Sequence, residues 1–432
     1  NPSIISNVIS NNTASNCCGG IWCQNSDSYI AGNTISYNTA NNDVCVVSAG
    51  GIICDNGSHI ITGNTITHNT AAGNGSGGIF CLNSTIEISD NLFSYNTALN
   101  VNSGGGLKSA YCNASIVNNI ISDNTSSYDG GGIHCAGDNT VISRNFIANN
   151  TATMYGGGIY CRNEGQHVTN NVIVNNNAGN GGGGICFHSS TAGIVNNTIA
   201  NNSALNGGAL YFKSSSLPLV QNNILRGNTA SAGEQVYIWD DGSDPDFYYC
   251  DVQGGKDAFG LNANVFYLGA YEHNIDSIPF FVSPSGGSGT GFNGLTADWS
   301  LQDTSPCIDA GNPAGTYPEL DIAGNPRVVG NAIDIGAYEY QGNIGLPHHE
   351  IQNHVSVFPN PFNSFTTIHL ENSSGLLQLG IYNMSGKRMK LVRNIYGDNI
   401  RIERDHLDPG IYIFEIADEK GAFWTGKLVI AD

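Results

Sequence analysis

The stretch VISRNFIANNTATMYGGGIYC, residues 141–161, returns directly afterwards in the chain as HVTNNVIVNNNAGNGGGGICF, residues 167–187. Each copy holds an Asn after an apolar segment, a second Asn five positions on, and then a glycine run followed by Ile. The first Asn of this pattern falls at Asn7, Asn33, Asn64, Asn91, Asn119, Asn145, Asn171, Asn197 and Asn223. A nearly constant period of this size predicts a stack of similar structural units.

The repeated unit has the pattern of β-strands. Apolar residues alternate over short distances, no run shows helical periodicity, and Gly and Asn interrupt every potential helix. A second strand signal, Gly-Gly-Ile-x-Cys, lies between the Asn pairs, as at 131–135 and 157–161. Strands and turns in the period that separates Asn145 from Asn171 predict one rung of a parallel β-helix. Each strand should then pair with its copy one rung away, roughly 4.8 Å along the axis.

Positions within the rung divide into core and turn. The Ile, Leu and Cys side chains are expected to stack inside the coil as ladders. A second Asn follows each first Asn, as Asn12 follows Asn7. We expect both to occupy turns, where Asn tolerates left-handed backbone and its amide can bond to the next rung. The three longer steps, which together run from Asn33 to Asn119, are expected to be insertions at a turn.

The Gly-Gly-Ile-x-Cys and Asn-x-Ile-x-x-Asn-Thr-Ala units resemble those of right-handed parallel β-helix repeat proteins of the pectate-lyase-like class. The resemblance extends from the start of the chain to about position 230 and implies an all-β, right-handed, single-stranded parallel β-helix of about nine coils. That fold hosts lyases, hydrolases, phage tailspikes and adhesins, so the resemblance implies a fold and leaves the function open.

Composition favours an extracellular protein. Only 12% of residues are charged and the formal net charge is −20, which argues against nucleic acid as a partner. No apolar segment approaches the length of a membrane span, so none is expected. Residues 234–342 hold 16 acidic and only 2 basic residues, which predicts a distinct acidic module.

The repeat pattern stops near residue 231, and the chain divides into four predicted parts. These are a β-helix with an irregular last coil (1–255), an acidic C-terminal cap module (256–340), a linker (341–354) and a small β-sandwich (355–432). The cap strings SPCIDAGNP (305–313) and IDIGAYE (333–339) resemble the choice-of-anchor type module that follows bacterial surface β-helices. A solenoid needs a terminal unit that closes its apolar column.

The last part resembles the Ig-like type A C-terminal sorting domain of type IX secretion cargo. The motifs that carry the resemblance are VFPNP (357–361), IYNMSGK (381–387), LDPGIY (407–412) and GKLV (426–429). It implies export across the outer membrane of a Bacteroidetes-like bacterium, with the type IX machinery as partner of residues 355–432. In that family the domain is often removed, and the product is released or attached to surface polysaccharide. The expected location is therefore extracellular or attached to the outer-membrane surface.

The chain has 12 Cys, and most fall at one strand position, one rung apart. In-register strand neighbours rarely reach the dihedral angle of a disulfide. We therefore expect the ladder cysteines to be buried thiols that act as small apolar fillers. Cys17, Cys18 and Cys45 lie in predicted turn insertions, where pairing is favoured.

Alternation sends the residue between Ile and Cys outward on each Gly-Gly-Ile-x-Cys strand. The predicted outward column reads Trp22, Ile53, Phe80, Lys108, His134, Tyr160, Cys186 and Leu210. A second outward column, two residues on, reads Gln24, Asp55, Leu82, Ala110, Ala136, Arg162, His188 and Phe212.

Three kinds of site are predicted from these columns and from one acidic cluster. The candidate catalytic patch is Lys108, His134, Tyr160, Arg162 and His188, which supplies bases and cations for a lyase. It lacks a carboxylate cluster, because Asp129, Asp138 and Glu164 lie in turns. A glycan-stacking surface would use Trp22, Phe80 and Tyr160. Oxygen ligands for Ca²⁺ would come from Asp240, Asp241, Asp244 and Asp246, and no other cofactor is expected. An ordinary strand face and a solvated acidic turn are the alternatives to these sites.

Three classes of function remain open. The first is a non-catalytic secreted or cell-surface protein that acts in adhesion or glycan binding. The second is a subunit that stacks on copies of itself, end to end, into an extracellular fibre. It is suggested by a repeat already in register at Asn7, where either processing or further coils are expected to precede Asn1. The third is a polysaccharide lyase or glycoside hydrolase that acts on acidic polysaccharide.

Overall fold

A computed structural model describes residues 1–42, 47–137, 139–163, 165–315, 317–342, 355–370, 376–383, 388–418 and 423–431. The chain forms two compact units, Asn1–Gly342 and Asn343–Asp432. The predicted linker, 341–354, falls outside the described residues from position 343 onward.

The first unit is a parallel β-helix whose largest sheet, the first sheet, receives a leading and a following strand from most rungs. The leading strands are Ile21–Gln24, Ile52–Thr62, Ile79–Ser89, Leu107–Ala110, Ile133–Ala136, Ile159–Arg162, Ile185–His188, Leu210–Lys213, Val236–Ile238 and Gly260–Leu261. The following strands are Ser3–Ile5, Ser28–Ala31, Asn113–Val117, Asn139–Ser143, His167–Thr169, Gly193–Val195, Leu219–Gln221, Asp246–Tyr248 and Tyr271–Glu272. Two leading strands, Ile52–Thr62 and Ile79–Ser89, run on through the following position.

Two further parallel sheets complete the rung. The second sheet contains Val8–Ser10, Thr34–Ser36, Thr65–Thr67, Leu92–Ser94, Ile120–Ser122, Phe146–Ala148, Val172–Val174, Thr198–Ala200, Ile224–Arg226 and Asp251–Val252. The third contains Thr13–Ala14, Thr39–Ala40, Thr70–Ala71, Thr97–Ala98, Thr125–Ser126, Thr151–Ala152, Asn177–Gly181 and Ser203–Asn206. Each strand pairs with its copy one repeat away, as Ile147 pairs with Ile173, which confirms the predicted parallel β-helix.

The repeated Asn residues form two hydrogen-bonded ladders. Asn145 illustrates the geometry, since its Nδ2 donates to Ile116 O at 2.8 Å and to Ser143 O at 3.1 Å. Its backbone N–H and its Nδ2 both donate to Asn171 Oδ1, at 2.8 and 3.1 Å. The predicted amide bonding between rungs is therefore confirmed.

The left-handed backbone does not lie on the ladder Asn, so that part of the prediction was wrong. It lies on the residue directly before, for example Arg144 with φ 54° and Asn149 with φ 60°. The preceding residue makes the turn, and the ladder residue then directs its amide into the coil, where Asn145 and Asn150 are fully buried.

Aliphatic and Cys side chains fill the interior of the coil as predicted. Cys135 pairs in register with Cys161, and both are buried thiols outside any disulfide. Of the cysteines expected to pair, Cys17 is disulfide-bonded and Cys18 is a free thiol. Cys45 lies outside the described residues.

Rung pairing continues beyond the predicted boundary at residue 255, which corrects that boundary. Gly260–Leu261 pairs with Tyr237–Ile238, and Asp251 forms a bridge with Ile275. A short 3-10 helix, Lys256–Ala258, interrupts this last rung. The spacing of its strands therefore departs from the repeat, and the sequence pattern did not predict them. The end of the apolar column is closed by Phe259 and Val265, with Tyr267 and Tyr271 packed against it.

Residues 276–342, here called the flank module, pack along the side of the coil and not over its end as predicted. The antiparallel pair Phe281–Ser283 and Asp298–Leu301 supplies part of this module. Its apolar residues pack against outward residues of the second sheet, including Val172 and Val174. At the position of Val174 the rungs up to Ser122 carry Ser or Thr, as at Ser36, whereas the later rungs carry Ala148, Val174 and Ala200. These small apolar residues on the later rungs form part of the surface on which the module packs.

The second unit is a β-sandwich of two antiparallel sheets. One contains Val355–Phe358, Phe365–Leu370 and Asn399–Glu403, and the other contains Leu377–Asn383, Arg388–Ile395, Gly410–Asp418 and Phe423–Ile430. Ile368, Ile402, Phe414 and Trp424 are buried in the core that the two sheets share.

Candidate functional site

The outer face of the leading strands carries the predicted site columns, with one correction of register. Ile185 pairs with Leu210 and Cys186 with Tyr211, so Tyr211 occupies the first outward column and Leu210 lies in the core. The second column likewise contains Lys213 in place of Phe212, because His188 pairs with Lys213. The glycine run of this rung reads Gly207-Gly208-Ala209, and Ala209 takes the place of the second Gly. The motif therefore begins one residue later than its glycines suggest.

Most of the first outward column is buried by the covering loops, the segments between each third-sheet strand and the next leading strand. His134 is 1% exposed and Tyr160 is 3% exposed. The loops also hold the predicted insertions, since the segment from Ala40 to Ile52 is longer than the one from Ser126 to Ile133. Where a loop folds back across the strand it precedes, as over His134 and Tyr160, a residue of the first outward column does not reach solvent.

Gly130 shows how closely a covering loop approaches. Its φ is 65°, and a Cβ added there would lie 2.8 Å from the Cβ of His134. Only glycine can occupy a position that has left-handed backbone and lies this close to a neighbouring side chain. The covering loop therefore crosses the leading strand at the first glycine of the triplet at 130–132.

The predicted glycan-stacking surface is not formed. Trp22 is 47% exposed, but Phe80 is 2% exposed and Tyr160 is 3% exposed. Phe80 packs with Ile53, Ala49 and Ala110 beneath a covering loop. A sugar ring can therefore stack on only one of the three aromatics that the sequence proposed.

Two members of the predicted catalytic patch are committed to structural contacts. The Nζ of Lys108 donates to Asn102 O and lies 4.8 Å from the centre of the Phe80 ring. Burial lowers the pKa of His134 to about 3, and Lys108 lowers it further by repulsion. Neither side chain is placed to meet a polymer from solvent.

The remaining three members of the patch lie close together at the edge of the covered zone. The Tyr160 hydroxyl oxygen is 2.7 Å from Nδ1 of His188. Burial lowers the pKa of His188 to about 4, and the positive charges of Lys213 and Arg162 lower it further. At neutral pH the half-buried imidazole is therefore uncharged and lies between two cations.

Arg162, His188 and Lys213 form the basic row, one residue on each of three consecutive rungs. Lys213 Nζ lies 3.5 Å from the centre of the Tyr155 ring, which fixes the ammonium group by a cation–π contact. Trp239 follows Lys213 one rung on, where its N–H donates to Phe212 O, and it is 46% exposed. The row therefore ends on an aromatic side chain that is open to solvent.

A carboxylate that the sequence placed in a turn lies beneath this row. Asp129 is 4% exposed, and its Oδ1 accepts a hydrogen bond from the Tyr155 N–H at 3.2 Å. Burial raises the pKa of Asp129 to about 6, against the attraction of Lys213 and Arg162. Asp138 and Glu164, the other two acids considered, lie outside the described residues.

The predicted calcium ligands are used separately. Asp240 accepts hydrogen bonds from the N–H groups of Ser214 and Ser215, while Asp244 accepts from two N–H groups of the next rung. Asp246 accepts from Ala270 N, and Asp241 is exposed. Within the described ranges no three His, Cys, Asp or Glu residues are grouped as metal ligands would be. The arrangement gives the calcium prediction no support.

Sequence reasoning missed Lys213, Tyr155 and Trp239. All three residues are visible in the sequence, but the repeat spacing does not show that they lie side by side. Lys213 was displaced by the Ala209 substitution in the glycine run, Tyr155 lies in a covering loop, and Trp239 follows the last regular repeat. Their convergence becomes visible only when rungs are paired residue by residue.

Comparison with known families matches two parts of the chain. Residues 131–265 match the family model described as a right handed beta helix region, and residues 356–431 match the one described as a secretion system C-terminal sorting domain. Searches among curated proteins and among solved structures find no match. In the described part of the chain, no helix is both long enough and apolar enough to cross a membrane.

Proposed function

We propose that this chain, a right-handed β-helix protein exported through the type IX machinery to the extracellular space or cell surface, binds acidic polysaccharide through its basic row. The observation that carries the proposal is the placement of Arg162, His188 and Lys213 on consecutive rungs beside the exposed Trp239. The rungs are roughly 4.8 Å apart, which is close to the length of one sugar in an extended chain. Arg162 and Lys213 lie two rungs apart, with the uncharged His188 between them, so alternate carboxylates of a polymer could meet the two cations.

Scarcity of positive charge strengthens this argument. Residues 1–233 contain five Lys or Arg, namely Lys108, Arg144, Arg162, Lys213 and Arg226. Lys108 is bonded to a backbone carbonyl, and Arg226 pairs with Asp276 at 2.7 Å. Arg162 and Lys213 form no ion pair with any described carboxylate and flank the same imidazole. These two solvent-accessible cations favour an anionic ligand at the basic row, against the repulsion of a chain whose net charge is −20.

Binding to a polyuronate such as alginate, measured by titration calorimetry against neutral dextran, tests the proposal. The double variant Arg162→Gln/Lys213→Gln keeps the aliphatic stems and should weaken polyuronate binding by about tenfold or more. Lys256→Gln, an exposed position in the same unit, is the matched control for loss of positive charge. Equal affinity of the double variant and the wild type would refute the proposal.

A second candidate function, polysaccharide lyase, is favoured by one specific observation. His188 is uncharged at neutral pH and lies between two cations, which is what removal of a proton beside a uronate carboxylate requires. A lyase would generate an unsaturated uronate with strong ultraviolet absorbance, and His188→Ala should abolish that signal. If the wild-type protein releases no such product from polyuronates, with or without Ca²⁺, binding without cleavage remains.

A further inference from the structure

A column of left-handed turn residues lies directly before the first Asn of each repeat, beside the second sheet. Three of these residues hold the flank module in place. Asn170 Nδ2 donates to Leu320 O at 2.8 Å, and Asn196 Nδ2 donates to Asp334 O at 3.4 Å. Asn222 Oδ1 accepts from Asn312 N at 2.9 Å. On three consecutive rungs this turn position is therefore an asparagine that bonds to the flank module.

Arg144 occupies the same turn position one rung earlier, where the flank module ends. It has φ 54°, as its asparagine counterparts do. Here the coil and the edge of the module enclose a crevice of about 410 Å³. Arg144 lines this crevice, together with Asp90, Asn118, Ile120, Leu295 and Tyr338. Asn170, Asn196 and Asn222 thus bond to the backbone of the flank module, whereas Arg144 borders the open crevice.

The side chains of the crevice have complementary chemistry. Arg144 forms no ion pair with a described carboxylate, so its guanidinium is available for a bidentate contact. Asp90 and Asn118 occupy the two preceding positions of the same turn column and offer hydrogen-bonding groups over roughly 10 Å. Ile120 is 44% exposed and Leu295 is 36% exposed, so both present apolar surface.

We infer that this crevice binds a carboxylate-bearing sugar unit, with Arg144 holding the carboxylate. Asp90 and Asn118 would accept and donate hydrogen bonds to ring hydroxyls, and Ile120, Leu295 and Tyr338 would contact the apolar face of the ring. The crevice lies at the second sheet and shares no residue with the basic row, so the inference does not depend on the proposed function. The same chemistry could come from a free sugar acid or from a polysaccharide chain.

The test is titration of the full chain with sodium glucuronate, followed by saturation-transfer NMR and calorimetry, with glucose and propionate as comparators. Arg144→Asn is the main variant, because Asn occupies this position in the neighbouring rungs and tolerates the left-handed backbone. It should weaken glucuronate binding by about tenfold. Ala323→Trp, at an exposed position lining the crevice, should weaken binding without any change in charge.

Two controls locate the site. Lys256→Gln should retain glucuronate binding, and Arg144→Asn should weaken it by the same factor in the Arg162→Gln/Lys213→Gln background, which removes any contribution from the basic row. The inference is overturned if the wild type does not bind glucuronate, if Arg144→Asn binds it as the wild type does, or if Arg144→Asn has no effect on binding in the basic-row background. Equal binding of propionate or glucose would overturn the assigned ligand class. In the basic-row variant, tighter binding of a uronate tetrasaccharide than of glucuronate would support a polysaccharide as the source, and equal binding would support a free sugar acid.

Discussion

The hydroxyl oxygen of Tyr160 lies 2.7 Å from Nδ1 of His188, and this contact joins two neighbouring rungs. Tyr160 belongs to the buried outward column, whereas His188 belongs to the basic row at its edge. Burial raises the pKa of Tyr160 well above its ordinary value, so the phenol remains a hydrogen-bonding group at any physiological pH. The covered interior of the face is thereby connected directly to its solvent-accessible row.

Tyr160→Phe should raise the pKa of His188 from about 4, because the neutral imidazole loses its hydrogen-bonding partner. The rise should be less than about one pH unit, since burial and the two neighbouring cations remain. NMR titration of labelled histidine in the wild type and the variant measures the change. A lower pKa in Tyr160→Phe would show that the phenol favours the charged imidazole instead.

Asn145→Ala should destabilise the β-helix by about 2–3 kcal/mol, because it leaves a buried carbonyl and ladder groups without partners. Urea unfolding monitored by circular dichroism gives this free energy. Asn7→Ala is the matched control, as Asn7 belongs to the same ladder but is exposed. If both variants lose the same stability, burial of the ladder amide is not what makes it important.

His134 should make the protein less stable in acid. Its folded pKa, about 3, is depressed below the ordinary 6.5, so the unfolded chain takes up a proton that the folded chain refuses. Stability from this residue is present above about pH 6.5 and is lost progressively below it, by about 2–3 kcal/mol at about pH 4.5.

The His134→Phe variant tests this dependence, because Phe80 already occupies the same column two rungs earlier. Urea unfolding at about pH 7 and about pH 4.5 should show a smaller loss of stability in the variant than in the wild type. The buried carboxylates, whose raised pKa values act in the opposite direction, are common to both proteins. An unchanged difference between the two pH values would contradict the depressed pKa.

Gly130→Ala should displace a covering loop, because an added Cβ would lie 2.6 Å from Ile133 O on a backbone with φ 65°. We expect a loss of about 1–3 kcal/mol in unfolding free energy. Faster amide hydrogen exchange is expected in the loop around residue 130. Gly342→Ala is the control for left-handed strain alone, since no atom lies within 4 Å of its Cβ position. Similar stability losses would mean that the close contact adds nothing.

The ladder thiols should be unreactive until the coil unfolds. Cys135 and Cys161 are fully buried, and burial raises the pKa of Cys54 well above its ordinary value. An aromatic disulfide reagent should therefore label them slowly in buffer and completely in denaturant. Cys18, which is only partly buried, should react earlier. Rapid labelling of Cys135 in the native protein would argue against the ladder.

The fold was readable from sequence because the ladder residues repeat with the rung. Asn145 and Asn171 each bond to the copy one period away, so a spacing in the chain corresponds directly to a contact in space. The register slip at Leu210 shows the limit of this reading, since one altered glycine moved Tyr211 and Lys213 into the outward columns.

The candidate site was less accessible to sequence reasoning because exposure is not a local property. Alternation correctly placed His134 and Tyr160 on the outer side of their strands, but it could not show that covering loops would bury both. The flank module was likewise recognised as a separate segment, and its packing against Val172 and Val174 became evident only from the structure.

The sequence by itself determined the parallel β-helix, the Asn ladders and the secretion address, because periodicity and local motifs carry all three. The tertiary structure alone decided which outward residues reach solvent, where the flank module lies, and that Lys213 joins Arg162 and His188 in one row. The physical reason is that these properties depend on contacts between segments whose separation has no fixed period. Loop crossings and side packing are set by the assembled surface, which no single rung contains.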